Sequence, residues 1–122
     1  MPRILVVEDE SMIALYIAEI LEDHGFKVVG PVATLSGAIA LARRERLDGA
    51  LLDVNILGGR VDNVAEILNR RGVPFIFVTS NGRDDLPERF TNTTLVGKPF
   101  NPSNLIREIK LIRQPSPVVA QN

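Results

Sequence analysis

Glu8, Asp9, Asp53, Thr79 and Lys98 offer, by residue type, three carboxylates, a hydroxyl and an ammonium. Carboxylates brought close together repel one another and raise each other's pKa unless a cation intervenes. Lys98 offsets one charge, and a hard divalent ion with oxygen ligands would offset the others. Mg²⁺ is commonly held by one or two carboxylates, keeps several waters and takes phosphate oxygens as remaining ligands. A carboxylate is also a nucleophile that can carry a phosphoryl group as an aspartyl phosphate. Such transfer asks mainly for positioning and charge neutralisation. A metal, a lysine and a hydroxyl around one aspartate would supply both.

These residues are remote in sequence, so the elements between them must bring them together. Short apolar runs recur at Ile4 to Val7, Val28 to Val32, Ala50 to Leu52, Phe75 to Val78 and, more weakly, Thr94 to Val96. Most are β-branched or aromatic and lack strict alternation, as strands covered on both faces do. Between them the period changes. Ile13, Ile17, Ile20 and Leu21; Leu35, Ala38, Ile39 and Ala42; Val61, Val64, Ala65 and Leu68; and Leu105, Ile109 and Ile112 each form one apolar helical stripe. Gly25 and Gly72 follow helical stretches and suit left-handed C-caps. Asn101-Pro102 suits a helix start, with a capping amide and a proline whose missing N–H costs little there. Asp84 to Phe90 is the weakest helical stretch, because Pro87 must lie in its first turn or break it.

The pattern is β-α five times over, an α/β fold with a doubly wound parallel sheet and helices on both faces. Glu8 and Asp9 follow the first predicted strand. Asp53 closes the third, Thr79 the fourth, and Lys98 follows the fifth. Parallel strands share one direction, so all five residues fall at the carboxyl edge, where open α/β sheets bind ligands.

Bulk properties bound the alternatives. The 122 residues fit one domain, predicted over 1–113, with 114–122 as a tail that has two prolines and no periodicity. A formal net charge of -1 argues against a nucleic-acid binder, which carries a basic excess. No apolar run approaches a membrane span, and the acidic residues after Val7 do not suit a secretory signal. With no cysteine, thiol catalysis, disulfides and Cys-based zinc sites are excluded, and a cytoplasmic setting is expected.

At Ile4 to Glu10, Leu51-Leu52-Asp53-Val54-Asn55, Val78-Thr79-Ser80 and Val96-Gly97-Lys98-Pro99-Phe100 the chain resembles a response-regulator receiver domain of the single-domain, CheY-like kind. The likeness runs from about Arg3 to Arg113. It implies a flavodoxin-like fold with strand order 2-1-3-4-5, the order for which such a protein is a standard example. It implies that Asp53 accepts a phosphoryl group from a histidine kinase or histidine phosphotransfer protein, the chain being no enzyme beyond its own phosphorylation and dephosphorylation. Mg²⁺ would be held by Asp9 directly, by Glu8 through water, by Asp53 and by the backbone carbonyl of Asn55. Thr79 would hydrogen-bond one phosphoryl oxygen and Lys98 would pair with another, and the Lys98-Pro99 bond would be cis. The partners implied are that phosphodonor and an unknown downstream protein, with no nucleic acid or membrane, and with the chain a monomer or weak dimer.

Three positions depart from the family pattern. Leu95 stands where an aromatic residue is usual on the fifth strand, and Leu57 where a proline often follows the acceptor. Ser80-Asn81 departs even from the alphaproteobacterial subgroup without an aromatic switch, which the segment Pro74 to Gly82 otherwise resembles. Signalling is therefore expected through the loop after Thr79 and the weak fourth helix.

Blander readings stand beside these. Glu8 and Asp9 alone read equally well as acids at a helix N-terminus; beside Asp53 and Lys98 the metal reading is preferred. Asn55 suits a turn with a solvent-facing side chain. His24, next to a C-cap, is assigned no phosphotransfer role. Arg43, Arg44, Arg46, Arg70 and Arg71 suit solvated helix ends, and Arg107, Lys110 and Arg113 either a partner surface or a solvated face. A phosphorylation-independent interaction module is the alternative function, although such degenerate receivers usually lose an acid or the lysine. A haloacid-dehalogenase-type hydrolase would need a second acid where Asn55 stands.

Overall fold

The computed structural model describes residues 1–113; the predicted tail, 114–122, lies outside the described residues. The chain runs β1 (Arg3–Val7), α1 (Ser11–Asp23), β2 (Lys27–Val32), α2 (Leu35–Arg44), β3 (Gly49–Asp53), β4 (Asn55–Ile56), β5 (Gly59–Arg60), α3 (Asp62–Arg70), β6 (Phe75–Thr79), β7 (Leu95–Gly97) and α4 (Pro102–Arg113). Five strands form one parallel sheet in the order β2-β1-β3-β6-β7. Setting aside the hairpin β4–β5, that is the predicted order.

Successive strand residues point to opposite faces, and this alternation divides the core in two. Leu5, Val7, Ala50, Leu52, Phe75 and Phe77 pack with Ala38, Ala42, Val64, Ala65 and Leu68 of α2 and α3. Ile4, Val6, Leu51, Ile76, Val78 and Val96 pack with Ile17, Leu21, Leu105 and Ile109 of α1 and α4. Since β3 and β6 are buried along their whole length, they show no polar-apolar alternation in sequence.

Local signals fix the helix ends. After α1, the Gly25 N–H donates to the Glu22 carbonyl and the Phe26 N–H to Leu21, with Gly25 at φ +84°. After α3, Gly72 and Val73 donate to Asn69 and Leu68 in the same pattern. Both are Schellman ends, in which a left-handed glycine lets two orphan carbonyls find donors. Thr34 Oγ1 accepts from Gly37 N–H at 3.1 Å to cap α2, and Asn101 Oδ1 accepts from Ser103 N–H at 2.8 Å to cap α4. His24 Nδ1 lies 2.8 Å from the Ile20 carbonyl, a local helix-end contact.

Two expectations need correction. Asp84 to Phe90 is not an α-helix: it holds two short 3₁₀ turns, Arg83–Asp85 and Glu88–Phe90. Pro87 falls between them, where it cannot donate, and Leu86 is extended. The fourth β-α unit is therefore a β-strand followed by a wrapped loop. The second is the hairpin after Asp53, which was not foreseen. Gly58 and Gly59 turn it at φ +98° and +140°, in backbone that side chains rarely tolerate. Leu57 ties it to the start of α2, donating to the Ala33 carbonyl and accepting from Leu35 N–H.

Aromatic packing holds the wrapped loop. Phe75 meets Phe77 and Phe90 edge-on, at centroid distances of 5.6 and 5.4 Å. Arg83 donates to the carbonyls of Thr91 and Thr93 at 2.8 and 2.9 Å. Among the described residues, no helix is long and apolar enough to cross a membrane. Because Phe90 is the loop's aromatic anchor, Phe90→Ala is expected to lower the unfolding free energy by about 3 kcal/mol. Glu88→Ala, on the exposed side of the same turn, is expected to stay within about 0.5 kcal/mol of the wild type in urea denaturation.

Candidate functional site

Central strand β3 ends at Asp53, which pairs in register with Val78 of β6. On its other side, β1 delivers Glu8 and Asp9, and the Glu8 N–H continues the ladder by donating to the Val32 carbonyl at 3.0 Å. Thr79 ends β6, and its carbonyl accepts from the Lys98 N–H at 2.9 Å, so the β6–β7 pairing places Lys98. The Lys98–Pro99 peptide is cis, as the resemblance implied; Gly30–Pro31 is cis as well. The sheet thus brings all five predicted residues to one edge.

The Lys98 ammonium lies between two carboxylates, 2.7 Å from Glu8 Oε1 and 3.3 Å from Asp53 Oδ2. Glu8 is only 2% exposed, so water does little for its charge. Its Oε2 accepts from Glu10 N–H at 3.1 Å. Among the described residues its Oε1 has no partner besides the Lys98 ammonium. Carboxylate oxygens of Glu8, Asp9 and Asp53 come within 4.8 Å of one another.

This crowding shows in the titration of Asp53. Burial, then the charge of Glu8 and the contact between the two carboxyls, push its pKa from 3.8 up to about 7, against the pull of Lys98. Lys98 is itself held above its ordinary value. Burial works against its charge, but Glu8 and Asp53 outweigh it.

Among the described residues, three acids cluster around one ammonium that touches only two of them, and the buried Glu8 Oε1 has nothing but that ammonium beside it. That donor set fits a hard divalent cation, which is bound by oxygen and supplies the missing positive charge. Thr79 is buried; its Oγ1 accepts from Asn81 N–H at 3.1 Å and directs its own proton at Asp85 Oδ2 from 3.5 Å. A hollow of about 460 Å³ lined by Val73, Phe75 and Phe90 lies away from these groups and holds none of them.

Asn55 is exposed, but its side chain is engaged: Nδ2 donates to Asp85 Oδ2 at 3.1 Å. Asp85 and its partner Arg60 escaped the sequence reading. Arg60 Nη1 lies 3.3 Å from Asp85 Oδ1, and Nη2 donates to the Asp85 carbonyl at 2.9 Å. Only the acidic pair Asp84-Asp85 in a segment of poor helical character hinted at such a role. Asn104 and Glu108 are the described partners of Arg107, within its own helix, as on a solvated face.

The model of the response regulator receiver domain matches residues 4–110. The chain is 32% identical over 113 residues to the transcriptional regulatory protein PdtaR of Mycobacterium tuberculosis, covering 89% of this chain and 55% of that protein. It is 32% identical over 112 residues to the phyllosphere-induced regulator PhyR of Methylorubrum extorquens, covering 84% of this chain and 40% of that one. The chain thus spans about half the length, or less, of these curated relatives. The solution structure of SdrG from Sphingomonas melonis Fr1 is similar at a TM-score of 0.81 and 35% identity, over 92% of this chain and 96% of that one.

The raised pKa of Asp53 has a consequence for stability. The unfolded carboxyl ionises near 3.8 and the folded one near 7, so between these values the folded state holds the extra proton. Stability is then lost as pH rises through that window. In EDTA, Asp53→Asn is expected to be more stable than the wild type at pH 8. That advantage should shrink by on the order of 2 kcal/mol at pH 5, as read from urea midpoints.

Proposed function

The chain belongs to the response regulator receiver domain family, and from that footing we propose that Asp53 accepts a phosphoryl group from a histidine kinase or a histidine phosphotransfer protein. Receivers of this family are signalling modules rather than enzymes acting on a separate substrate. The observation that carries the assignment is the Asp53 carboxylate closing the central strand, 3.3 Å from a lysine and grouped with Glu8 and Asp9.

Each residue then has a task. Asp53 Oδ forms the new P–O bond as the P–N bond to the donor's imidazole breaks, and the electron pair leaves on that nitrogen. Asp53 must be ionised to attack, and its metal-free pKa near 7 makes this depend on added positive charge. Lys98, held charged by its two carboxylates, offsets the negative charge that arrives with the phosphoryl group. Thr79 has a hydroxyl proton to offer a phosphoryl oxygen. Mg²⁺ would be held by Asp9 and Asp53 directly, by Glu8 through water and by the Asn55 backbone carbonyl, and when bound it neutralises phosphoryl oxygens. Burial of Glu8 against Lys98 supports giving it the outer position.

On this reading the chain works in the cytoplasm and passes its signal by protein contacts or drains phosphate from the relay. The transcriptional role in the name of PdtaR belongs to a protein about twice as long. The test is electrophoresis in a phosphate-affinity gel after incubation with acetyl phosphate and Mg²⁺. The wild type should give a shifted band, Asp53→Asn none, and Asp9→Asn should need roughly tenfold more Mg²⁺. An unshifted wild type would instead support the phosphorylation-independent module.

A further inference from the structure

We propose that the Asp85 carboxylate is a built-in stand-in for the phosphoryl group, holding the donors at the rim of the acceptor site until an anion at Asp53 competes for them. The inference rests on Asp53 being the acceptor, and it adds a positioning residue that the acceptor chemistry does not require.

Donors from three separate stretches of chain converge on this one side chain. Asn55 Nδ2 donates at 3.1 Å, Asn81 Nδ2 at 3.3 Å, and the Arg60 guanidinium lies at 3.3 Å and also grips the Asp85 backbone carbonyl. The Thr79 hydroxyl is aimed at Asp85 Oδ2 from 3.5 Å. That distance is long for O–H···O, so the proton is held loosely and a nearer acceptor would take it. Two of these donors flank the acceptor: Asn55 lies two residues beyond Asp53, and Thr79 follows Val78, the register partner of Asp53. Amides, a hydroxyl and a guanidinium around one carboxylate are the donor set that also recognises a phosphoryl group.

The two anions cannot share that set. A phosphoryl group brings about -1.5 to -2 charges, and Asp85 is half-buried, where screening by water is weak. Repulsion and competition for Thr79 both act against the Asp85 contacts. The response has a natural limit. Leu86 and Phe90, just beyond Asp85, are buried in the core. The released segment is Asn81 to Asp85, which pivots at Gly82, where φ is +79°. Because coupling is reciprocal, whatever anion loosens Asp85 must bind more tightly once Asp85 is gone.

The experiment is a beryllofluoride titration in Mg²⁺, followed by ¹H–¹⁵N NMR of the wild type, Asp85→Asn, Asp85→Ser and the neighbouring control Asp84→Asn. Both Asp85 variants are expected to bind about fivefold more tightly or better, and Asp84→Asn to match the wild type. Free Asp85→Asn should also show Asn81 to Asp85 amide shifts moved toward those of the beryllofluoride-loaded wild type. A merely structural role would leave binding unchanged or weakened, and that result in both folded Asp85 variants overturns the inference alone. No uptake by the wild type overturns the acceptor reading and this inference together.

Discussion

Everything at the carboxyl edge follows from one imbalance: at the end of a buried strand three carboxylates cluster where, among the described residues, one ammonium reaches two of them. In water such a cluster would be cheap, because each charge would be solvated and screened. Here Glu8 is almost wholly enclosed and Asp53 nearly so. Lys98 therefore cannot be replaced by solvent, and its closeness to Glu8 leaves Asp53 only partly compensated. The raised Asp53 carboxyl and the buried Glu8 oxygen that, among the described residues, has the ammonium alone are two expressions of that shortfall. A site short of positive charge is poised to gain from a cation, and the gain is largest when Asp53 is ionised.

The fold tolerates this cost because it separates packing from polarity. The two apolar layers lie on the faces of the sheet and close without help from the carboxyl edge. Register, rather than side-chain contact, carries the polar residues there: Asp53 beside Val78, Lys98 bonded through its backbone to Thr79, Glu8 to Val32. Side chains at this edge are thus held by backbone hydrogen bonds of the ladder, which do not depend on the charge state of the cluster. The site can change charge without unmaking the core.

This separation also explains what could be read from sequence. Strand-end residues were legible because a parallel sheet converts sequence periodicity into a shared edge, so Glu8, Asp9, Asp53, Thr79 and Lys98 could be grouped before any coordinates. The layers were legible for the same reason, down to the Val61, Val64, Ala65 and Leu68 stripe. Glycines 25 and 72 announced their helix ends. Asp85 was not legible, because no periodicity governs a loop. Its position depends on Phe90 packing on Phe75, on Arg83 reaching two carbonyls, and on Pro87 ending the first turn. The same facts make the predicted fourth helix two 3₁₀ turns. The hairpin was signalled by Gly58-Gly59, but two-residue strands are too short for alternation to register.

Leu95 in place of an aromatic residue then takes on a structural sense. A large ring there would lie on the same face of the sheet as Phe75, Phe77 and Phe90, the cluster against which Leu95 is packed. That layer already draws its aromatic bulk from β6 and the wrapped loop, and Leu95, partly buried at its margin, packs against rings that β7 does not supply. The loop's own Phe90 is thus part of the core, while its neighbour Asp85 reaches the charged edge. One short segment is anchored by apolar packing at one end and by hydrogen bonds to an anion at the other. Only the second attachment responds to charge, so a change at Asp53 can reach the surface through Asn81 to Asp85 without a ring having to move through the core.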